Sequence, residues 1–202
     1  MRKFTVLLFV VLALCACAAA QMPIPHFEIP RNELYFGYAY QDAGTNGIQA
    51  LSNRVGDNIN VERTSLNGFD FQYAHYLQNH FGIILDIART TNNQVNSTGI
   101  KLTRTSYMAG PAYRVHQWGF LSLSTHALGG VDKDYFTSNP SNSGSLLNYD
   151  SWDGMAAAGV TLDGNLSRHV GVRLGQADYL YTHHYSTNQS SFRYTAGVVV
   201  RF

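Results

Sequence analysis

The chain has 202 residues, a formal net charge of +1 and only 13% charged residues, about half the share of an ordinary soluble domain. The length fits one domain. The charges are spread along the chain, which excludes the concentrated basic patch of a nucleic-acid-binding protein. Aromatic residues also make up 13%, which excludes a disordered chain. The 13 Tyr, 11 Phe and 18 Gly predict many strands and a surface of which much does not face water.

The first 20 residues have the layout of a secretory signal peptide. Residues 1–3 carry two positive charges, residues 4–14 form an almost unbroken apolar run, and residues 16–20 are mostly alanine. The run is shorter than the roughly 20 residues of a membrane-spanning helix. We predict cleavage after residue 20. Lipidation stays open as an alternative, because the residues around Cys15 and Cys17 loosely resemble a lipobox.

A proline-rich segment over residues 21–32 follows, with Pro23, Pro25 and Pro30. Proline interrupts helices and strands alike, so we predict an extended lead-in. No later segment has 18 consecutive apolar residues, and no transmembrane helix is predicted.

Period-two alternation of apolar and polar residues dominates the rest of the chain and predicts strands with two unlike faces. The last strand is clearest, because Phe192 and Val198 share one face while Arg193 and Arg201 share the other. Pro111 lacks a ladder donor, so we expect it near a strand end or a bulge. The alternation changes phase near Gly175, where we predict a bulge. The eight predicted strands are residues 34–41, 69–74, 83–88, 102–114, 120–130, 153–162, 169–180 and 192–202.

The connections between these strands alternate strictly in length. Outer-membrane barrels have this property, because their periplasmic turns are short and their external loops are long. We therefore predict an all-β fold, an eight-stranded antiparallel up-and-down transmembrane β-barrel. The long connections are 42–64, 91–100, 131–150 and 181–191, and the short ones are 77–80, 115–118 and 163–168.

The polar face of the strands carries charges in mid-strand, which a barrel would direct into its lumen. An eight-stranded barrel is just wide enough for side chains to fill, so we predict a lumen plugged by paired polar groups rather than a general porin. The predicted lumen network is Asp70, Gln72, Asp86, Arg104, His126, Arg173 and Arg193. Aromatic residues near the short connections predict an interfacial girdle on the opposite face: Tyr76, Phe81, Tyr113, Trp118 and Phe202.

Over residues 33–202 the chain resembles the bacterial OmpA-like and OmpX-like outer-membrane β-barrel family. The resemblance is carried by segments 154–159, 173–179 and 192–202. It implies the barrel fold and an outer-membrane location. It also implies that the barrel-assembly machinery reads the last strand, through Tyr194, Ala196, Val198, Val200 and Phe202. OmpA itself continues into a peptidoglycan-binding domain, and this sequence stops at Phe202, so we expect no tether to the cell wall.

Two candidate sites of chemistry are weighed against structural roles. His126 shares a predicted strand face with Ser122 and Ser124, as in a serine hydrolase that modifies lipid A. Residues two apart on a strand are about 7 Å apart, and this face points to the lumen, so we favour a packing role. The adjacent His183 and His184 suggest a metal site, but neighbouring residues of an extended segment point opposite ways, so we favour a solvated loop.

Aromatic residues also flank the third long connection, at Tyr135, Phe136 and Trp152. We interpret them as the outer girdle rather than as an adhesive surface. Gly129 and Gly130 precede no helix and therefore do not predict a phosphate-binding loop.

The sequence thus predicts a non-enzymatic outer-membrane barrel with a structural or interaction role and no cofactor or metal. The expected partners are outer-membrane lipid, the barrel-assembly machinery and an unidentified extracellular partner of the long loops, and no nucleic acid. The main alternative is a soluble, secreted lipocalin-like barrel that binds a small apolar ligand. A lipid A-modifying barrel enzyme and a narrow channel are further alternatives.

Overall fold

The computed structural model describes residues 30–44, 63–78, 80–93, 95, 100–138, 148–184 and 187–202. The predicted signal peptide with its two cysteines, and residues 21–29 of the proline-rich lead-in, lie outside these ranges. Within them the chain forms a closed barrel of eight antiparallel strands, each beside its sequence neighbours, as predicted. The strands are β1 (Asn32–Gly44), β2 (Arg63–Tyr76), β3 (Phe81–Asn92), β4 (Ile100–Trp118), β5 (Leu121–Ser138), β6 (Asn148–Asn165), β7 (Val170–His184) and β8 (Thr187–Arg201).

Pairing of the first strand with the last closes the barrel. The β1–β8 register runs without interruption from Glu33 opposite Arg201 to Ala43 opposite Ser191. Below it, the backbones of Asn32 and Phe202 exchange two hydrogen bonds of 3.2 and 3.1 Å. Closure leaves no strand edge unpaired, which is what a hydrocarbon environment requires.

The apolar face of the strands points outward and the polar face inward. On β8, Val198 is 50% exposed, whereas Arg193 and Val199 on the other face are fully buried. The same division holds along the aromatic and aliphatic residues of β1 to β3. The lipocalin-like alternative requires the opposite arrangement, with the aromatic face inside, and the structure does not support it.

The strands are longer than predicted, and this changes the connections. The predicted long loop 181–191 is wrong: β7 continues to His184, β8 begins at Thr187, and these two residues are directly paired. Of the loop predicted over 131–150, residues 131–138 belong to β5 and residues 148–150 to β6, and residues 139–147 lie outside the described residues. The alternation of apolar and polar residues fades in these outer segments, because an outer face beyond the membrane contacts water and need not be apolar, yet the backbone ladder continues. Residues 115–118 belong to β4, and Gly119 makes the turn with a φ of 53°.

The sequence predicts two irregularities of the ladder, one near Gly175 and one near Pro111. The register of β7 against β8 shifts between Arg173 and Gln176, so the bulge predicted at Gly175 is confirmed. Pro111 lies inside β4, three residues before the bulge between Arg114 and His116. A proline without an amide proton fits this interrupted stretch of the ladder.

One pair of glycines permits a close approach of two strands. Gly37 of β1 and Gly197 of β8 face each other across the closing ladder. A Cβ added at Gly197 would lie 2.3 Å from the Phe36 carbonyl oxygen, and one added at Gly37 would lie 2.0 Å from the Tyr35 hydroxyl. The absence of side chains here makes room for the Tyr35 ring inside the barrel.

Candidate functional site: the charged lumen

Arg193 stands at the centre of the lumen. Its Nη1 and Nη2 donate to Asp86 Oδ1 and Oδ2 at 3.0 and 2.7 Å, and its Nε donates to Asp178 Oδ2 at 2.9 Å. All three side chains are almost completely buried. Because β8 and β3 are not neighbours in the barrel, the Arg193–Asp86 pair crosses the lumen.

Two glutamines extend this centre toward the short turns. Gln72 donates its amide protons to Asp86 at 2.7 Å and to Asp70 at 3.0 Å. Its carbonyl oxygen accepts a 2.6 Å hydrogen bond from Arg173, which also donates to Gln176 at 2.7 Å. The amide side chains thus link the centre around Arg193 to Arg173 in one network.

A second cluster lies near the short turns. Arg173 Nε donates to Asp163 Oδ1 at 2.9 Å. Glu33 Oε1 accepts from Arg114 at 2.9 Å and from Arg201 at 3.0 Å. Each guanidinium therefore has a carboxylate partner, which buried charges require.

Two tyrosine rings pack against arginines of this cluster. The guanidinium of Arg114 lies 3.8 Å from the centre of the Tyr76 ring, and that of Arg173 lies 4.1 Å from the Tyr35 ring. Assignment of Tyr76 to the outer girdle is therefore wrong. The residue shares the inward face with Ala74 and is 3% exposed, and its ring face attracts the arginine cation inside the barrel.

A third cluster lies toward the long connections. Arg104 donates to both oxygens of Asp134 at 2.8 and 2.7 Å. Its Nε also lies 2.9 Å from Asp132. The planar guanidinium suits this paired carboxylate recognition.

His126 is held in the network rather than exposed to lipid. Its Nε2 is hydrogen-bonded to Asp178 Oδ1 at 2.8 Å, and the side chain is buried. Ser122 is also buried on this inward face, and Ser124 lies beside it. The lumen leaves a cavity of only about 10 Å³ beside His126 and Ser124, room for about one water molecule.

The structure describes one side chain of the histidine pair in the last hairpin. His183 is hydrogen-bonded to Asn188 at 2.9 Å, and the side chain of His184 lies outside the described residues. Among the described side chains, no group of three His, Cys, Asp or Glu is placed to hold a metal ion.

All seven residues of the predicted lumen network face inward and are buried. Sequence reasoning missed a comparable number of lumen charges, which the inward faces of the same strands carry. Arg201 was placed on the polar face of the last strand with Arg193 but was left out of the predicted network. Period-two counting from Gln176 would have found Asp178. Asp132 and Asp134 were missed because they were assigned to a loop. The lumen charges outside the predicted network are Glu33, Arg114, Asp132, Asp134, Asp163, Asp178 and Arg201.

Aromatic residues surround the barrel at both rims. Four of the five predicted short-turn girdle residues are exposed on the outer face: Phe81, Tyr113, Trp118 and Phe202. At the other rim Tyr135 and Trp152 are exposed on the outer face, but Phe136 points inward and is buried, so its assignment to the outer girdle is wrong. No helix of the described residues is long and apolar enough to span a membrane.

Comparisons with known proteins give a fold but no close relative. No protein-family model and no curated protein matches the chain. The solved structure of Ail, the attachment invasion locus protein of Yersinia pestis, matches with a TM-score of 0.53 and 20% identity over 85% of this chain and 99% of Ail. Neisserial surface protein A matches with a TM-score of 0.63 and 14% identity over 85% and 97%. OprG of Pseudomonas aeruginosa matches with 0.51 and 12% over 87% and 97%.

The apolar exterior, the charged interior and these likenesses define the class of the protein. It has the fold of the eight-stranded bacterial outer-membrane β-barrels, and its outer face is built for lipid. The eight-stranded barrel fold predicted from the sequence is confirmed at this level.

Proposed function

We propose that the protein is a closed, non-enzymatic barrel that anchors in the outer membrane and presents its raised strands to a partner outside the cell. The observation that carries the proposal is the Arg193–Asp86 pair, which crosses the lumen between two non-adjacent strands. Arg173 and Gln72 cross it again nearer the short turns. In this proposal, the paired charges at successive depths close the lumen to ions.

The raised strands are the second element of the proposal. β4, β5 and β6 have 19, 18 and 18 residues, whereas a tilted strand needs about 9–11 to span a membrane. Their excess lies on the side of the long connections. Tyr135 and Asp150 face each other on the outside of this raised sheet. We call the surface around these two residues the ridge. Ail, whose name describes attachment and invasion, has the same fold, and we propose attachment through the ridge for this chain.

Conductance tests the closed lumen. Protein reconstituted in planar bilayers is expected to give no current steps above the lipid background. The variant Arg173→Gly/Arg193→Gly, which removes both crossing side chains, serves as the positive control and is expected to conduct. Steps from the wild-type protein would support the narrow-channel alternative instead.

Cell assays separate an envelope role from an interaction role. Cells that lack the protein are compared with cells that carry the wild type or the ridge variant Tyr135→Ser/Asp150→Asn. An attachment role predicts that the ridge variant loses cell attachment and keeps wild-type detergent resistance. An altered lipid A profile that depends on His126 would contradict the non-enzymatic assignment.

A further inference from the structure

A row of residues with two cations crosses the outer face of five strands near the long connections. The β-ladder pairs Phe69 with Arg89, Arg89 with Thr105, Thr105 with Lys133, and Lys133 with Trp152. All five therefore lie on one line of paired residues across the barrel wall. Because the strands of a barrel are tilted, this line rises toward the long connections from β2 to β6. Neighbouring strands are about 4.8 Å apart, so the Arg89 and Lys133 backbones lie about 10 Å apart with Thr105 between them. We call these five residues the cationic row.

The two cations of the row are available to a ligand. Lys133 Nζ lies 3.6 Å from Asp150 Oδ2 and 5.0 Å from the centre of the Trp152 ring. Both members of this ion pair are exposed, and such pairs contribute little. Arg89 is exposed and has no ion pair or hydrogen bond of its side chain with the described part of the chain.

A trough runs along β5 and β6 on the membrane side of Lys133 and Trp152. Val131, which pairs with Gly154, lies between Lys133 and this trough. The floor of the trough consists of small outward residues: Ala127, Gly129, Gly154, Ala156 and Ala158. A Cβ added at Gly129 or Gly154 would meet no atom within 4 Å. Tyr181 and Tyr179 of β7 flank Ala156 and Ala158. From residue 154 to residue 158 the trough is about 13 Å long, and its two strands are about 5 Å apart.

We propose that the cationic row and the trough together bind one acylated phosphate lipid of the outer leaflet. The phosphate lies between Arg89 and Lys133, with the Thr105 hydroxyl as a further donor. An acyl chain lies in the trough below. Trp152 in the row marks the depth at which headgroups meet hydrocarbon.

A lipid fits this surface better than a second copy of the chain. A two-fold dimer through the trough would bring the cationic row of each subunit near that of its partner, and like charges across an interface disfavour association. The small trough residues also stand out against the aromatic outer face of β8 and β1, which carries Phe192, Tyr194 and Tyr38.

Quenching of Trp152 fluorescence tests the proposal. The chain has two tryptophans. The full protein, purified from outer membranes, carries Trp118→Phe, so that Trp152 is the only tryptophan left to fluoresce. It is reconstituted in phosphatidylcholine nanodiscs that contain a minor fraction of acyl-brominated lipid, either phosphatidic acid or phosphatidylcholine. We expect the brominated phosphatidic acid to quench Trp152 more strongly than the brominated phosphatidylcholine does. The enrichment of phosphatidic acid near Trp152 should fall about fivefold for each cation removed. Equal quenching by the two lipids overturns the proposal without any variant.

Matched variants assign the effect to its two parts. Arg89→Gln/Lys133→Gln is expected to abolish the preference, while Arg63→Gln/Lys101→Gln, with the same loss of charge elsewhere on the rim, is expected to keep it. Ala156→Leu/Ala158→Leu fills the trough and is expected to lower the preference with both cations in place. A preference that survives in the first variant overturns the phosphate site, and one that survives in the third overturns the acyl-chain seat. Loss of the preference in excess inorganic phosphate would also overturn the lipid assignment, because a free ion would then suffice.

Discussion

Arg193 of β8 and Asp86 of β3 form two parallel hydrogen bonds, of 3.0 and 2.7 Å, across the interior of the barrel. The two residues are 107 positions apart in the chain, and two further strands, β1 and β2, separate their strands in the wall. This pair therefore connects strands that share no backbone ladder, as Arg173 and Gln72 also do.

Loss of the Arg193 guanidinium should destabilise the barrel strongly. Arg193→Met leaves the Asp86 and Asp178 carboxylates buried without their cation, which costs about 3–5 kcal/mol. Urea unfolding in lipid vesicles, followed by the gel mobility of unboiled samples, measures the change. Arg63→Met is the control, because its pair with Asp42 is exposed and contributes at most about 1 kcal/mol. Equal effects of the two variants would show that the lumen pair adds no stability.

The strand alternation was predictable because two environments impose it. Lipid on one side and a packed polar lumen on the other force each successive residue to change character, and β8 shows this from Phe192 to Phe202. Where β5 and β6 extend beyond the membrane, the outer face contacts water and need not be apolar, so the contrast between the two faces ends. The sequence there resembles a loop although the hydrogen-bonded ladder continues to Ser138 and from Asn148.

The contacts within the lumen were not predictable to the same degree. Alternation shows that Asp86 and Arg193 face inward, but their contact depends on the register of all the strands between them. Tyr76 was misplaced for a different reason. Its position near a rim suggested a girdle residue, whereas its phase relative to Ala74 directs it inward, where the Arg114 cation covers its ring.

The glycine at the closing seam gives a second prediction. Gly197→Ala places a Cβ 2.3 Å from the Phe36 carbonyl oxygen and 2.4 Å from the Gly37 Cα, so the β1 and β8 backbones must move apart. We expect a loss of about 1–3 kcal/mol in the same unfolding assay. Gly129→Ala is the matched control, because its Cβ meets no atom within 4 Å. An unchanged free energy of unfolding in Gly197→Ala would contradict the close approach of the β1 and β8 backbones.

The terminal aromatic residue should govern assembly. Phe202→Ala keeps both backbone hydrogen bonds to Asn32 and removes only an exposed ring, so the folded barrel should lose little stability. If the assembly machinery reads this ring, the variant is exported normally but its amount in the outer membrane falls. Fractionation and immunoblotting of cells measure both quantities.

Phe192→Ala provides the control for this experiment. Phe192 lies on the same outer face, inside β8, and is also exposed. It should assemble normally. Normal assembly of both variants would remove the support for a signal at Phe202.

The direction of the two faces of β8 is the central claim, and lipid quenching at two adjacent positions tests it. Val198 is half exposed on the outer face and Val199 is fully buried in the lumen. Each is replaced by cysteine, labelled with an environment-sensitive fluorophore before folding, and reconstituted in vesicles that contain a lipid with a nitroxide on its acyl chain. We expect strong quenching of the label at position 198 and little at position 199. Stronger quenching at position 199, or a protein that stays in solution without binding the vesicles, would contradict this claim.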